Sequence, residues 1–182
     1  MRKLVVTQNI TVDGSIEMIG DWFDPAGDNA EQSAELRRLS GRGDALVLGR
    51  QTFEDFRSYW PNQVDDRTGI TDELNRIQKY VVSSTMTDPE WQNSTILSGD
   101  WLQAVRDLKE QDGTEIGVTG SIELCHALIR AGLVDEYRLF VFPVVQGAGR
   151  RLFPDGYQVP RLRLLDGKHF GNGVALLAYA PA

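Results

Sequence analysis

One cysteine, Cys125, stands in 182 residues, so no intrachain disulfide and no multi-cysteine zinc site can form. That cysteine falls on the apolar face of an expected helix and reads as a small core residue. Nor does any apolar run approach the ~20 residues a membrane helix requires. Nothing at the N-terminus resembles a signal peptide, because Arg2-Lys3 leads straight into an apolar-rich strand, and the expectation is a soluble, cytoplasmic protein. Positive charge is also scarce: 19 Lys and Arg against 26 Asp and Glu give a net charge of -7. This balance argues against nonspecific nucleic-acid binding. It also makes each local cation informative, since an anionic ligand would need its own arginine or helix end. Repeats, low-complexity tracts and interdomain linkers are missing too, and the length suits one domain spanning 1–182.

What the chain does have is a succession of short β-rich runs and helical stripes. Residues 3–12 read as a buried first strand that ends at the turn Asp13-Gly14. Residues 15–27 form a connection with a heavy apolar load, Ile16, Met18, Ile19, Trp22 and Phe23. Two readings stay open there: a loop folded over the core, or a lid over a ligand. A helix capped by Asp28 or Asn29 runs to about Ser40, followed by a strand over 44–48 and a helix bearing Phe53, Phe56 and Trp60 up to Pro61. A short helix over 71–77, strands over 79–82 and 95–97, and a helix capped by Asp100 come next. The strand 115–118 feeds a helix in which Ile122, Cys125, Leu128 and Ile129 share one face, with Ser121 as its cap and Gly132 as its stop. The run 136–145 is the longest β-rich stretch, and 161–165 with 174–179 reads as a terminal hairpin. Strands alternating with helices early and a hairpin late give an α/β three-layer sandwich. Its central sheet is mostly parallel, with helices on both faces and antiparallel strands at one edge.

Twice a strand feeds a helix through glycine, at Gly49-Arg50-Gln51-Thr52 and at Val118-Thr119-Gly120-Ser121-Ile122. Such a junction exposes backbone N–H groups beside the positive end of a helix dipole, a surface suited to phosphate. Glycine also serves plain turns, and either reading fits one junction alone. A second junction with an arginine at its mouth favours phosphate.

These junctions in order resemble the dihydrofolate-reductase-like fold, and in particular the reductase domain at the C-terminus of the bifunctional riboflavin-biosynthesis deaminase-reductase. The resemblance covers nearly the whole chain. It rests on Ile10-Thr11-Val12-Asp13-Gly14, Val47-Leu48-Gly49-Arg50-Gln51-Thr52-Phe53, Val81-Val82-Ser83-Ser84 and Val118-Thr119-Gly120-Ser121, together with Leu133 to Leu139 and Pro143 to Gly149. It implies NADPH as hydride donor. Gly49, Arg50, Gln51 and Thr52 would hold the 2′-phosphate and part of the pyrophosphate. Ser83 and Ser84 would reach the adenosine side, and Val118, Thr119, Gly120, Ser121 and Ile122 would take the pyrophosphate. Thr11 and Val12, with Ile10, would line the nicotinamide. Trp22, Phe53, Phe56, Trp60, Phe142 and Pro143 are candidates to wall a flat pocket for a heteroaromatic ring.

Two departures narrow the function. The zinc signature of the deaminase half, His-x-Glu with Pro-Cys-x-x-Cys, does not occur, so deamination is excluded and no metal is expected. The acid that orients a pterin in dihydrofolate reductases falls near Glu31, Gln32 or Ser33 with only a loose match at Glu31, which argues against dihydrofolate as main substrate; Asp13 in the opening turn is a second weak catalytic candidate. The reading is a reductase transferring hydride from NADPH to a small heterocycle, a pterin, a flavin-precursor pyrimidine or a relative. Its rival is a noncatalytic nucleotide- or small-molecule-binding module on the same fold. Because 137–142 alternates only partly, both faces of that strand need cover, and a homodimer using it and residues 147–153 is expected.

Overall fold

The computed structural model describes residues 1–24, 29–66 and 68–182. Its strands are β1 (Lys3–Thr11), β2 (Gly43–Gly49), β3 (Gln78–Val82), β4 (Ser94–Leu97), β5 (Glu115–Val118), β6 (Glu136–Phe142), β7 (Leu162–His169) and β8 (Ala175–Pro181). The helices are α1 (Ala30–Ser40), α2 (Arg50–Tyr59), α3 (Ile70–Arg76), α4 (Trp101–Glu110) and α5 (Ile122–Arg130), with a 3₁₀ turn at Trp60–Asn62. All eight strands join one sheet in the order β4-β3-β2-β5-β1-β6-β8-β7. β1 through β6 run parallel, while β8 is antiparallel to both β6 and β7.

Alternation along the strands decides the layers. In β1, Leu4, Val6 and Ile10 face one side and join the apolar stripes of α4 (Val105, Leu108) and α5 (Leu124, Leu128). The other face carries two smaller clusters. Leu39 of α1 packs on Phe140 and Leu176, while Phe53 and Leu74 of α2 and α3 pack on Leu48 and Val81. The result is the three-layer α/β sandwich with a C-terminal antiparallel pair that the sequence pattern implies.

Boundaries shift where tertiary contacts outweigh local signals. β7 runs on to His169, through residues expected as hairpin loop, with a bulge between Leu164 and Asp166. β6 stops at Phe142, three residues early. It lies between β1 and β8, and Tyr137 and Leu139 are covered from one side, Phe140 from the other. Both faces of β6 are thus covered within the chain. Its imperfect alternation comes from Arg138, which is buried and answered inside the chain by Glu115 and Glu136. Lys79 is a second buried cation. Its Nζ donates to the carbonyls of Leu74 (2.6 Å) and Ile77 (2.9 Å), closing the C-terminal end of α3, and burial lowers its pKa to about 8. No described helix is long and apolar enough to cross a membrane.

Candidate active site

The C-terminal ends of six parallel strands, at Leu97, Val82, Gly49, Val118, Thr11 and Phe142, line up along one edge of the sheet. Open α/β sheets bind ligands at that edge. Three parts can be followed along it.

At the β2, β3 and β4 end lies a cleft of about 400 Å³ lined by Arg50, Val82, Ser83, Ser84, Thr85, Leu97, Ser98, Gly99 and Trp101. Arg50 opens α2, half-exposed, and its guanidinium meets Glu54 one turn on at 3.2 Å. Ser83 is buried, and its Oγ accepts the N–H groups of Met86 (2.9 Å) and Thr85 (3.2 Å), so it shapes the turn. Ser84 and Thr85 are exposed to the cleft. Thr85, Ser98, Gly99 and Trp101 were not singled out from sequence, although Ser98-Gly99-Asp100 after β4 is another strand–glycine–helix junction. Gln51 turns away, bonding Asp55 at 2.9 Å on the exposed face of α2.

In the middle, the two glycine junctions are stitched to each other. The Gly49 N–H donates to Ser121 Oγ (3.0 Å), and the Ser121 N–H donates to Thr52 Oγ1 (2.9 Å). Ser121 therefore does not cap its own helix as expected. It sits in the left-handed region at φ 46° with no side-chain bond to α5, because its hydroxyl is taken by the neighbouring junction. The Gly120 N–H donates to Gln8 Oε1 (3.1 Å), and Gln8 Nε2 donates back to the Gly120 carbonyl (2.7 Å). The backbone donors of Gly120 and Ser121, read as phosphate ligands, are thus already engaged within the chain. Donors remain one step on: Ile122 and Glu123 open α5, and their N–H groups meet no backbone acceptor among the described residues. Thr52 and Ser121 each accept a backbone N–H, which leaves both hydroxyl protons free to donate. Val118 is buried and contributes only backbone, Thr119 is half-buried, and the Ile122 side chain packs on the core.

At the β1 and β6 end, Thr11 is buried, and its Oγ1 donates to Asp13 Oδ1 at 2.6 Å while accepting the Ser15 N–H at 3.0 Å. Asp13 also accepts the N–H groups of Gly147 (2.7 Å) and Gln146 (3.1 Å). These bonds, from Thr11 first and then from Gly147 and Gln146, lower its pKa from 3.8 to about 2. Asp13 is an anion at neutral pH and clasps two loops; it does not serve as a proton donor there. Glu31, the other acid suggested by sequence, is mostly exposed in the first turn of α1 and pairs with Lys168 at 3.4 Å. No hydrogen bond or ion pair joins it to Thr11, Val12 or Asp13 among the described residues.

Trp22, Phe142 and Pro143 do come to this edge. The Trp22 and Phe142 rings meet edge-on with centroids 5.3 Å apart, and Phe23 completes the group at 5.8 Å from Phe142. Gln146, missed in the sequence, holds it: Trp22 Nε1 donates to Gln146 Oε1 at 2.7 Å, and Gln146 Nε2 reaches Ser15 Oγ at 2.9 Å and the Glu17 carbonyl at 3.1 Å. Phe53, Phe56 and Trp60 belong elsewhere. Phe53 is fully buried against Trp91, and Phe56 and Trp60 pack on the same cluster, so they are core beneath α2 and not a pocket wall. The 15–27 connection is also less free than a lid. Ile16 is in the core, Ser15 bridges Arg151, and Glu17 holds Arg150 at 2.7 Å; residues 25–27 lie outside the described residues.

Asp13→Asn is expected to loosen this clasp, since one amide oxygen replaces a carboxylate that accepts three donors. Hydrogen exchange at the Gln146 and Gly147 amides should accelerate; unchanged protection at both would mean the loops are held by Gln146 alone. Because the folded pKa is depressed, the clasp is present above the ordinary carboxylate value of 3.8 and is lost as pH falls through about 2. Any pH dependence near neutrality must have another origin.

Comparison with known proteins agrees with this architecture. Residues 2–176 match the family model of the RibD C-terminal domain, and the chain belongs to that family. Two relatives from Bacillus subtilis (strain 168) are uncharacterized proteins. YyaP is 30% identical, covering 98% of this chain and 94% of its own, and YwjB is 28% identical, covering 90% and 86%. Among solved structures, a putative riboflavin biosynthesis protein from Shewanella sp. PV-4 superposes with TM-score 0.73 at 19% identity, covering 99% of both chains. A pyrimidine reductase-like protein from Corynebacterium diphtheriae gives 0.70 at 17% identity, covering 98% of this chain and 91% of that one. The fold is that of the reductase-like, dihydrofolate-reductase-like proteins.

Proposed function

We propose that the chain is an NADPH-dependent reductase of a small heterocyclic substrate. The observation that carries the reading is the Arg50 cleft. It is open and hydroxyl-lined, with Arg50 at the strand ends of an acidic protein, and the Gly49–Thr52 junction that Arg50 belongs to is hydrogen-bonded to Ser121 at the start of α5. Arg50, Ser84 and Thr85 would hold the 2′-phosphate and the adenosine ribose. The Thr52 and Ser121 hydroxyls with the first N–H groups of α5 would hold the pyrophosphate, and Thr11 and Val12 would back the nicotinamide. NADPH, when bound, supplies the hydride. The residues of this chain bind and orient, with Trp22, Phe142 and Pro143 placing a flat ring against the β1 end.

Arg50 has a competing partner, and magnitudes decide between them. An exposed ion pair one helical turn apart is worth about 0.3–0.5 kcal/mol. A hydrogen bond to a charged group is worth about 1.5–3 kcal/mol, so a phosphate draws the guanidinium from Glu54. Arg50→Ala should weaken NADPH binding roughly 10- to 150-fold and leave NADH nearly untouched, read by fluorescence titration at fixed salt. Equal losses for both cofactors would assign Arg50 to the fold, and equal wild-type affinities would remove the NADPH assignment. Oxidation of NADPH in the presence of pterins, deazaflavins or pyrimidines separates an enzyme from a binding module that retains the cleft.

A further inference from the structure

The β1 end of this edge is rich in carboxylates, whereas the other end presents Arg50. Residues 4–36, which supply β1, the connection over the β1 end and the first half of α1, include seven Asp and Glu and no Lys, Arg or His. Four of those acids, Asp13, Glu17, Asp21 and Asp24, follow β1 directly in the connection. The facing segment from β6, residues 142–149, carries no charge at all. Among the described residues, one cation is held at this end from outside. Arg150 is held by Glu17 through Nη2 at 2.7 Å and Nε at 3.0 Å, with Glu123 at 3.3 Å on the other nitrogen. Arg151 is bridged through its backbone to Ser15. Lys168 is paired with Glu31 and Glu35.

The surface between these charges is apolar. Val12 is 61% exposed and Val145 72%, and the Val12 N–H donates to the Val144 carbonyl, so the two segments adjoin. Met18 and Ile19, in the same connection as Trp22 and Phe23, are each about half-exposed, and the Trp22, Phe23 and Phe142 rings form one aromatic group. A soluble chain that leaves such side chains open around an aromatic group offers a binding face for a ring with little polar substituent. Among the described residues, a phosphate or carboxylate on the ligand would meet carboxylates and no unpaired cation placed at this end, and its lost hydration would go uncompensated.

We infer that the substrate accepted here is a planar heterocycle lacking phosphate and carboxylate groups, neutral or cationic, so that anionic forms of the same ring are rejected. This rests on the proposed reductase reading, whose cofactor end with Arg50 has the opposite character. The anion-accepting and anion-refusing halves lie side by side, which also keeps a phosphorylated cofactor in one orientation along the edge.

The test uses matched ligands that share a ring: riboflavin against its 5′-phosphate FMN, and dihydrobiopterin against dihydrofolate. Binding is followed by ring or tryptophan fluorescence on the intact protein, at low and at high salt. The uncharged member should bind tighter by roughly tenfold or more at low salt, and the gap should narrow as salt screens the carboxylates. Asp21→Arg, at an exposed loop position, should improve the anionic member and leave the uncharged one nearly unchanged. FMN or dihydrofolate binding as tightly as its partner overturns the inference. So does a gap that neither salt nor Asp21→Arg alters, or binding of none of the four. A parallel NADPH titration keeps the two claims apart: discrimination without NADPH binding sinks the cofactor assignment alone, and NADPH binding without discrimination sinks the substrate class alone.

Discussion

Gly120→Val is expected to unfold the junction before it can report on a cofactor. Gly120 has φ 56°, in the left-handed region, which costs a residue with a β-carbon about 1–2 kcal/mol. A β-carbon there would also come within 2.9 Å of Thr52 Cγ2 and 3.2 Å of Thr52 Oγ1. Forcing atoms into a packed site costs a further 1–3 kcal/mol or so, for a total of roughly 2–5 kcal/mol. From sequence, this substitution should obstruct the pyrophosphate in a folded protein. The structure places the Thr52 side chain against the missing β-carbon. A urea midpoint that falls with an unchanged slope would show the loss of stability. Thr52→Ser removes Cγ2 and keeps the oxygen that accepts the Ser121 N–H, so it separates the two costs. In that background Gly120→Ala should cost less than in the parent by about 1 kcal/mol, and strictly additive effects would mean the Thr52 contact contributes nothing.

The same junction shows what a sequence can and cannot disclose. Strand, glycine and helix follow one another within a few residues, so Gly49 and Gly120 were visible as turns, and so was the position of the edge they share. What Ser121 does was not visible. A serine before a helical stripe is a cap by local rules, yet its oxygen accepts from Gly49, 72 positions away. Gln8 is silent for the same reason: a glutamine inside an apolar strand gives no sign that it braces the Gly120 turn, and Gln146 gives none that it ties Trp22 to Ser15. Helical periodicity placed Phe53, Phe56 and Trp60 on one stripe without saying which layer that stripe meets, and it meets the sheet. The partial alternation of β6 was read correctly as a strand covered on both faces. Cover came from α1 and α5 within the chain, because the C-terminal hairpin returned to pair along its free edge.

Arg138→Met should be the most damaging single change away from that edge. Arg138 lies in β6 with 3% of its surface exposed, its Nε 2.7 Å from Glu136 and its Nη2 2.9 Å from Glu115. Arg42 approaches Glu115 at 2.7 Å and Lys3 approaches Glu136 at 3.3 Å, so the buried acids are answered from both sides and Arg138 is the central link. Removing one member of a buried network strands the others, at a cost of about 3–5 kcal/mol. The pH dependence identifies the cause. Burial pushes the Glu136 pKa up, but the hydrogen bond and charge of Arg138, with help from Lys3, outweigh it and leave the net value below 4.5. In the parent, then, Glu136 contributes stability that is present above its unfolded value of 4.5 and is lost as pH falls through the depressed folded one. Without Arg138 the burial effect prevails, the carboxyl prefers its neutral form, and the folded variant loses stability as pH rises from acid toward neutrality. The gap between parent and variant should therefore be widest near pH 7 and shrink toward pH 4.5, measured by urea unfolding across that range. A gap that stays constant with pH would show that Arg138 acts through packing of its aliphatic stem against the sheet, not through its charge.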